Sequence, residues 1–230
     1  MKQIRKIALA AATALLLTAA LAACTPAETP EDTEPEPQRV LRVACVGDSI
    51  TEGMTITNPA DFYPAQLQSL LGDRYDVGNF GVSGRTLQSS IQTQFAVPYT
   101  NEQAYIDSLE MQPDIVLIML GTNDAFWSWD AAAYEAELAE FAGVYMDLPS
   151  APTVYLMTCA PSFMAGFDSA AATIADEVNP IIRAVAADLG LQVIDIYAAL
   201  DGQPGMFADG LHPNAAGAAI IAQTVYDAVS

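Results

Sequence analysis

The chain of 230 residues holds a single histidine, His212. It stands three positions after Asp209 in the run ADGLHPNAAG near the C-terminus, while a GDSIT segment toward the other end supplies Ser49. A serine hydroxyl becomes an effective nucleophile when an imidazole takes its proton and a carboxylate fixes that imidazole's tautomer. With one histidine available, the residue types predict a hydrolytic triad of Ser49, His212 and Asp209 drawn from both ends of one domain. Gly47 permits a tight turn ahead of Ser49, so that the serine presents both its hydroxyl and its backbone N–H. Taken alone, GDSIT reads equally as a plain turn into a helix with Asp48 or Ser49 as N-cap. Asp48 adjoins the nucleophile but points elsewhere on an extended chain, and is expected to steady the turn.

To bring residues 49 and 212 together, the elements between them must return repeatedly to one edge. Short apolar runs at 40–46, 75–80, 114–120, 153–158 and 191–196 read as strands, several apolar almost throughout, as strands covered on both faces must be. Helical patterns near 60–71, 101–111, 131–147, 168–189 and 213–229 alternate with them. In the fourth, Ile174, Val178, Ile181, Val185 and Leu189 mark one helical face, and Pro180 should kink or restart it. Pro213 suits the first turn of the last helix. Such alternation predicts an α/β fold, a three-layer α/β/α sandwich on a five-stranded parallel sheet with right-handed crossovers and ligands beyond the carboxyl ends of the strands.

That rule gathers four segments on one edge: GDSIT (47–51) after the first strand, NFGVSG (79–84) closing the second, GTND (121–124) after the third and DGLHP (209–213) after the fifth. In these blocks and in this order the chain resembles the SGNH hydrolases, or GDSL esterases, over essentially the whole of residues 39–230. The resemblance implies a flavodoxin-like sandwich and assigns the nucleophile to Ser49, the oxyanion glycine to Gly81, the oxyanion asparagine to Asn123, and the acid and base to Asp209 and His212. It implies no cofactor. Acyl transfer needs donors aimed at the developing oxyanion, and the Ser49 N–H, a Gly81 N–H bare of any side chain and the Asn123 amide together offer three. As bland alternatives, Gly81 and Asn123 are ordinary turn residues. Beside Asn123 the cluster AFWSWD (125–130) places Trp127 and Trp129, which either stack on a sugar face or pack the loop onto the body. Arg85 either binds substrate or pairs with a neighbouring acid.

Other chemistries find less support. GVSG runs into Arg85, so no GxSxG elbow is present, and one histidine makes a catalytic zinc site improbable. The first 23 residues read as an export signal, Lys2, Arg5 and Lys6 preceding an apolar stretch from Ile7 to Ala22, and Leu21-Ala22-Ala23-Cys24 resembles a bacterial lipobox with Cys24 as the acylated residue. Residues 24–38 continue as an acidic, Pro-rich tether with too little apolar surface to order itself. The expected location is therefore the outward face of a bacterial membrane, held through lipidated Cys24. Without Lys2, Arg5 and Lys6 the net charge of −20 becomes −23, which repels nucleic acid. Cys45 and Cys159 lie in apolar segments and read as buried small hydrophobes. Within the resembled family the motifs look most like carbohydrate O-acetylesterases, which implies small or oligosaccharide acetyl esters as substrates. A lysophospholipase or thioesterase is the alternative, and an inactive lipid-anchored carbohydrate-binding protein the reading from another class.

Overall fold

In a computed structural model describing residues 39–230, the five apolar runs form one parallel sheet. The expected export signal, Cys24 and the tether lie outside the described residues. Along the chain the strands are β1 (Leu41–Gly47), β2 (Tyr75–Gly81), the short β3 (Arg85–Thr86) and β4 (Val97–Pro98), then β5 (Ile115–Met119), β6 (Thr153–Met157) and β7 (Gln192–Ile194). The sheet has the order β2-β1-β5-β6-β7, and β3 pairs with β4 apart from it. The longer helices are α2 (Tyr63–Leu71), α3 (Gln103–Glu110), α5 (Ala131–Met146), α7 (Asn179–Leu189) and α9 (Ala215–Val229). Shorter ones, α1 (Ser49–Glu52), α4 (Thr122–Trp127), α6 (Asp168–Thr173) and α8 (Ile196–Leu200), complete the set.

Strand periodicity explains the layers. Val43 and Cys45 share one face with Leu117, Met119, Tyr155 and Met157, while Ala44 and Val46 share the other with Val116, Ile118, Val154 and Leu156. Helices α2, α8 and α9 cover the first face; α3, α5 and α7 cover the second. Cys45 and Cys159 belong to opposite faces and are both buried and unbridged. Burial pushes the Cys45 thiol up to about 12.

The expected helix at 168–189 is interrupted: a π-turn at Ile174–Val178 separates α6 from α7, which restarts with Pro180 in its first turn. Proline has no N–H to donate to the preceding turn, so a register change there costs nothing further. Pro213 lies outside α9, whose N-cap is Asn214, its side chain accepting from the N–H groups of Ala216 and Gly217. Helices α1, α4 and α8 did not register in the sequence pattern because four to six residues are too few to show a helical period. The topological switch lies between β1 and β5, and the two loops that open there carry GDSIT and GTND.

Candidate active site

Ser49 opens α1 directly after β1. The Asp48 carboxylate accepts from the Ile50 N–H at 2.9 Å and caps the helix, leaving the Ser49 hydroxyl and N–H at its tip. So sharp a reversal requires α1 to lie across the strand ends. A Cβ on Gly47 would sit 2.2 Å from Thr51 Oγ1 and 2.8 Å from the Met119 carbonyl oxygen. One on Gly81, its register partner in β2, would sit 2.1 Å from the Glu52 backbone nitrogen. Both glycines are thus demanded by the close approach of α1.

From the other end of the chain, the loop between α8 and α9 delivers His212. A bridge between Phe207 and Pro213, with the Ala208 N–H donated to the His212 carbonyl at 2.9 Å, pinches this loop closed. Inside it Asp209 Oδ1 accepts from the N–H groups of Leu211 (2.9 Å) and His212 (2.8 Å), and Oδ2 lies 2.7 Å from His212 Nδ1. A proton on Nδ1 leaves Nε2 free to accept, and it lies 3.0 Å from Ser49 Oγ. Burial raises the Asp209 carboxyl, but the backbone and ring donors of His212 and the Leu211 N–H outweigh it and hold the group below its ordinary value. Ser49 and His212 are both buried. Ser49, His212 and Asp209 therefore stand in one hydrogen-bonded line.

The expected oxyanion donors are placed less uniformly. The Gly81 N–H is donated to Asn79 Oδ1 at 2.9 Å, so it is not the bare donor expected, and the glycine's role is to admit α1. Three residues on, Gly84 adopts φ of 75° and its N–H has no acceptor among the described residues. Its turn is fixed by Glu52, whose carboxylate accepts from the Ser83 N–H at 2.9 Å and from the Ser83 hydroxyl. Asn123 Nδ2 donates to the Arg85 carbonyl at 3.0 Å, and its contact with Asp48 Oδ2 at 3.4 Å is too long to hold its second proton firmly. Gly84 and Asn123 thus flank Arg85 on the Ser49 side of the sheet. The signal for Gly84 was present in GVSG, but a positive φ cannot be assigned to one of two glycines from spacing alone.

Asp124 was not singled out by sequence. It is fully buried, and its carboxylate accepts from the N–H groups of Leu87 (3.0 Å) and Gln88 (2.8 Å), binding the segment after β3 to α4. Gln88 completes the tie through the Ser128 carbonyl and the Asp130 N–H. Burial pushes the Asp48 carboxyl up to about 6 against the pull of the Ile50 N–H and of His212. It pushes Asp124 to about 6 as well, against the N–H groups of Gln88 and Leu87.

The remaining sequence candidates separate. Arg85 is paired: Nε donates to Glu102 Oε1 at 2.8 Å and Nη1 to the Ser83 carbonyl at 2.7 Å, so its guanidinium steadies the turn, as the second of its two expected readings has it. Trp129 packs against the core, its ring centroid 5.0 Å from that of Tyr134 and its indole N–H donated to Glu177 at 2.6 Å, so it serves packing. Trp127 remains exposed. Cys24 lies outside the described residues.

Residues 45–220 match the GDSL-like Lipase/Acylhydrolase family. The chain is 38% identical over 211 residues to an acetylxylan esterase of Xylanibacter ruminicola; the match takes in 82% of this chain but spans 43% of the length of that relative. Among solved structures it is similar to a carbohydrate acetylesterase from Sinorhizobium meliloti, with TM-score 0.67, 19% identity, and coverage of 82% of this chain and 98% of the other. It is also similar to an acetylxylan esterase from Geobacillus stearothermophilus, with TM-score 0.62, 22% identity, and coverage of 83% and 94%. At such identities the structural likeness concerns the fold.

Proposed function

The chain belongs to the GDSL-like Lipase/Acylhydrolase family, and from that premise we propose that it hydrolyses short acyl esters, acetyl esters of carbohydrates above all, with Ser49 as nucleophile, His212 as general base and acid, and Asp209 as orienting carboxylate. The observation that carries this reading is the unbroken line from Ser49 Oγ to His212 Nε2 at 3.0 Å and from His212 Nδ1 to Asp209 Oδ2 at 2.7 Å. Ser49 Oγ attacks the ester carbonyl carbon while its proton passes to Nε2, and the ionised Asp209, with several donors already turned toward it, stabilises the imidazolium. In this reading the oxyanion is met by the Ser49 N–H, the Asn123 amide proton that Asp48 holds only at 3.4 Å and a glycine N–H; Gly84 is favoured over Gly81 because the Gly81 N–H is already donated to Asn79 Oδ1. Collapse expels the alcohol, which takes the proton from Nε2. Water then repeats the sequence on the acyl-serine and releases the acid.

The acetyl carbohydrate substrate is supported by the acetylxylan esterase relative and by the family resemblance. In the same reading, Cys24 carries acyl chains that anchor the protein on the outward face of a bacterial membrane.

Assay of the full chain on p-nitrophenyl esters tests the reaction. Acetate should be cleaved well above octanoate, acetate should be released from O-acetylated xylo-oligosaccharides, and a metal chelator should leave the rate unchanged. Ser49→Ala and His212→Ala should each lower kcat by several orders of magnitude, and Asn123→Ala on the order of 10²-fold. Near-normal hydrolysis by folded His212→Ala would refute the triad, and preference for acyl chains of eight carbons or more would favour a lysophospholipase or thioesterase.

A further inference from the structure

The helix that begins beside Asn123 ends in an exposed ring. Trp127, at the end of α4, is 45% exposed, and Phe95 from the segment before β4 is 62% exposed. The two rings lie nearly parallel, 19° apart in plane with centroids 5.8 Å apart. Their exposure is built in by the backbone. Thr93 Oγ1 accepts from the N–H groups of both Phe95 (3.1 Å) and Ala96 (2.8 Å), and the Thr93 N–H is donated to the Ala96 carbonyl at 2.8 Å, so that a closed turn holds Phe95 at its tip. This turn adjoins the reaction site, because a Cβ on Gly84 would sit 2.4 Å from the Phe95 carbonyl oxygen. Two exposed aromatic rings therefore stand at the rim of the proposed oxyanion region, Trp127 on the element that carries Asn123 and Phe95 in the turn whose backbone packs against Gly84.

We propose that Phe95 and Trp127 form a stacking platform for a neutral sugar ring on the alcohol side of the substrate, with the exposed amides of Gln92 and Gln94 in the same turn hydrogen-bonding its hydroxyls. The C–H face of a pyranose lies flat on an aromatic ring, and a ridge flanked by amides suits a ligand that is apolar on its face and polar on its edge. An acyl chain, in contrast, gains most from an enclosed apolar channel. A polyanionic sugar is disfavoured by the net charge of −20, and Arg85, next in sequence to Gly84, is engaged by Glu102. The platform rests on the esterase reading only for the ester that the bound sugar carries.

The chain has two tryptophans, so in the full-length Trp129→Phe protein the indole emission comes from Trp127 alone. Titration with unacetylated xylotetraose should give a saturable change in that emission, and adding Phe95→Ala should abolish or weaken it about tenfold. In steady-state assays Phe95→Ala and Trp127→Ala should each raise KM for acetylated xylo-oligosaccharides about tenfold while leaving kcat/KM for p-nitrophenyl acetate within about twofold. An unresponsive emission at millimolar sugar, or losses confined to long-chain p-nitrophenyl esters, would overturn the platform. Hydrolysis of both acetyl substrates with no emission change leaves the esterase reading standing and removes the platform; an emission change without hydrolysis of either does the reverse.

Discussion

Asp48 is where the turn that carries Ser49 and the site's charge meet. One of its oxygens caps α1 through the Ile50 N–H and the other faces Asn123, yet its carboxyl is 1% exposed and burial pushes it from 3.8 to about 6. An unfolded chain ionises this group near 3.8, so between that pH and about 6 the folded protein holds the extra proton and loses stability as pH rises. Above about 6 the cost is fully expressed, on the order of 3 kcal/mol. Asparagine keeps a capping oxygen without the charge. The Tm of Asp48→Asn relative to wild type should therefore climb between pH 4 and pH 8 in thermal melts, and a difference independent of pH would show that the buried carboxyl carries no such cost. Asn79 tests the glycine assignment in a similar way. Asn79→Ala removes the acceptor of the Gly81 N–H and should cost about 1 kcal/mol in denaturant melts while kcat stays within about threefold. A large gain in kcat would return Gly81 to the oxyanion site.

Asp124 ties two elements together, since the segment after β3 is held to α4 mainly by the Leu87 and Gln88 N–H groups donated to its carboxylate. Asp124→Ala leaves both donors buried without partners, at about 1–3 kcal/mol each. It also loosens the Arg85 carbonyl that orients Asn123. Urea melts should show the loss in stability. Kinetics should show kcat falling by up to the 10²–10³-fold attached to an oxyanion donor, with KM for p-nitrophenyl acetate nearly unchanged. A variant that lost stability but kept its kcat would make the tie purely structural. By the same logic α1 owes its position to Gly47 and Gly81, which sit side by side in register at the ends of β1 and β2.

For the protein as a cellular object the proposed anchor decides where catalysis takes place. A single acyl chain binds membranes only marginally and two or more hold stably, so a fully acylated Cys24 should carry the enzyme into the membrane fraction of a bacterial host. Cys24→Ser should release it, and the same fractionation finding wild type wholly soluble with unmodified Cys24 would remove the anchor. The acidic, Pro-rich residues 25–38 would then act as the spacer between membrane and domain.

Strand runs such as 114–120 and the repeated return of motifs to one edge were legible because apolar periodicity and chain alternation are local properties that a parallel sheet converts directly into geometry. The proposed triad was legible for a chemical reason: one histidine, one aspartate three residues before it and one serine in a Gly-Asp-Ser turn leave little choice of roles. What sequence could not decide was every assignment that depends on which of two similar groups finds a partner across the fold. Gly81 and Gly84 differ only in what lies opposite them, the Glu52 backbone and Asn79 in one case and a turn at φ of 75° in the other. Trp127 and Trp129, two residues apart, were separated by Tyr134 and Glu177 on one side and Phe95 on the other. Arg85 was claimed by Glu102, 17 positions away. Periodicity and residue type are written in the chain, whereas the partner of a hydrogen bond or a ring is set by packing between segments distant in sequence, and only the tertiary structure brings those segments into contact.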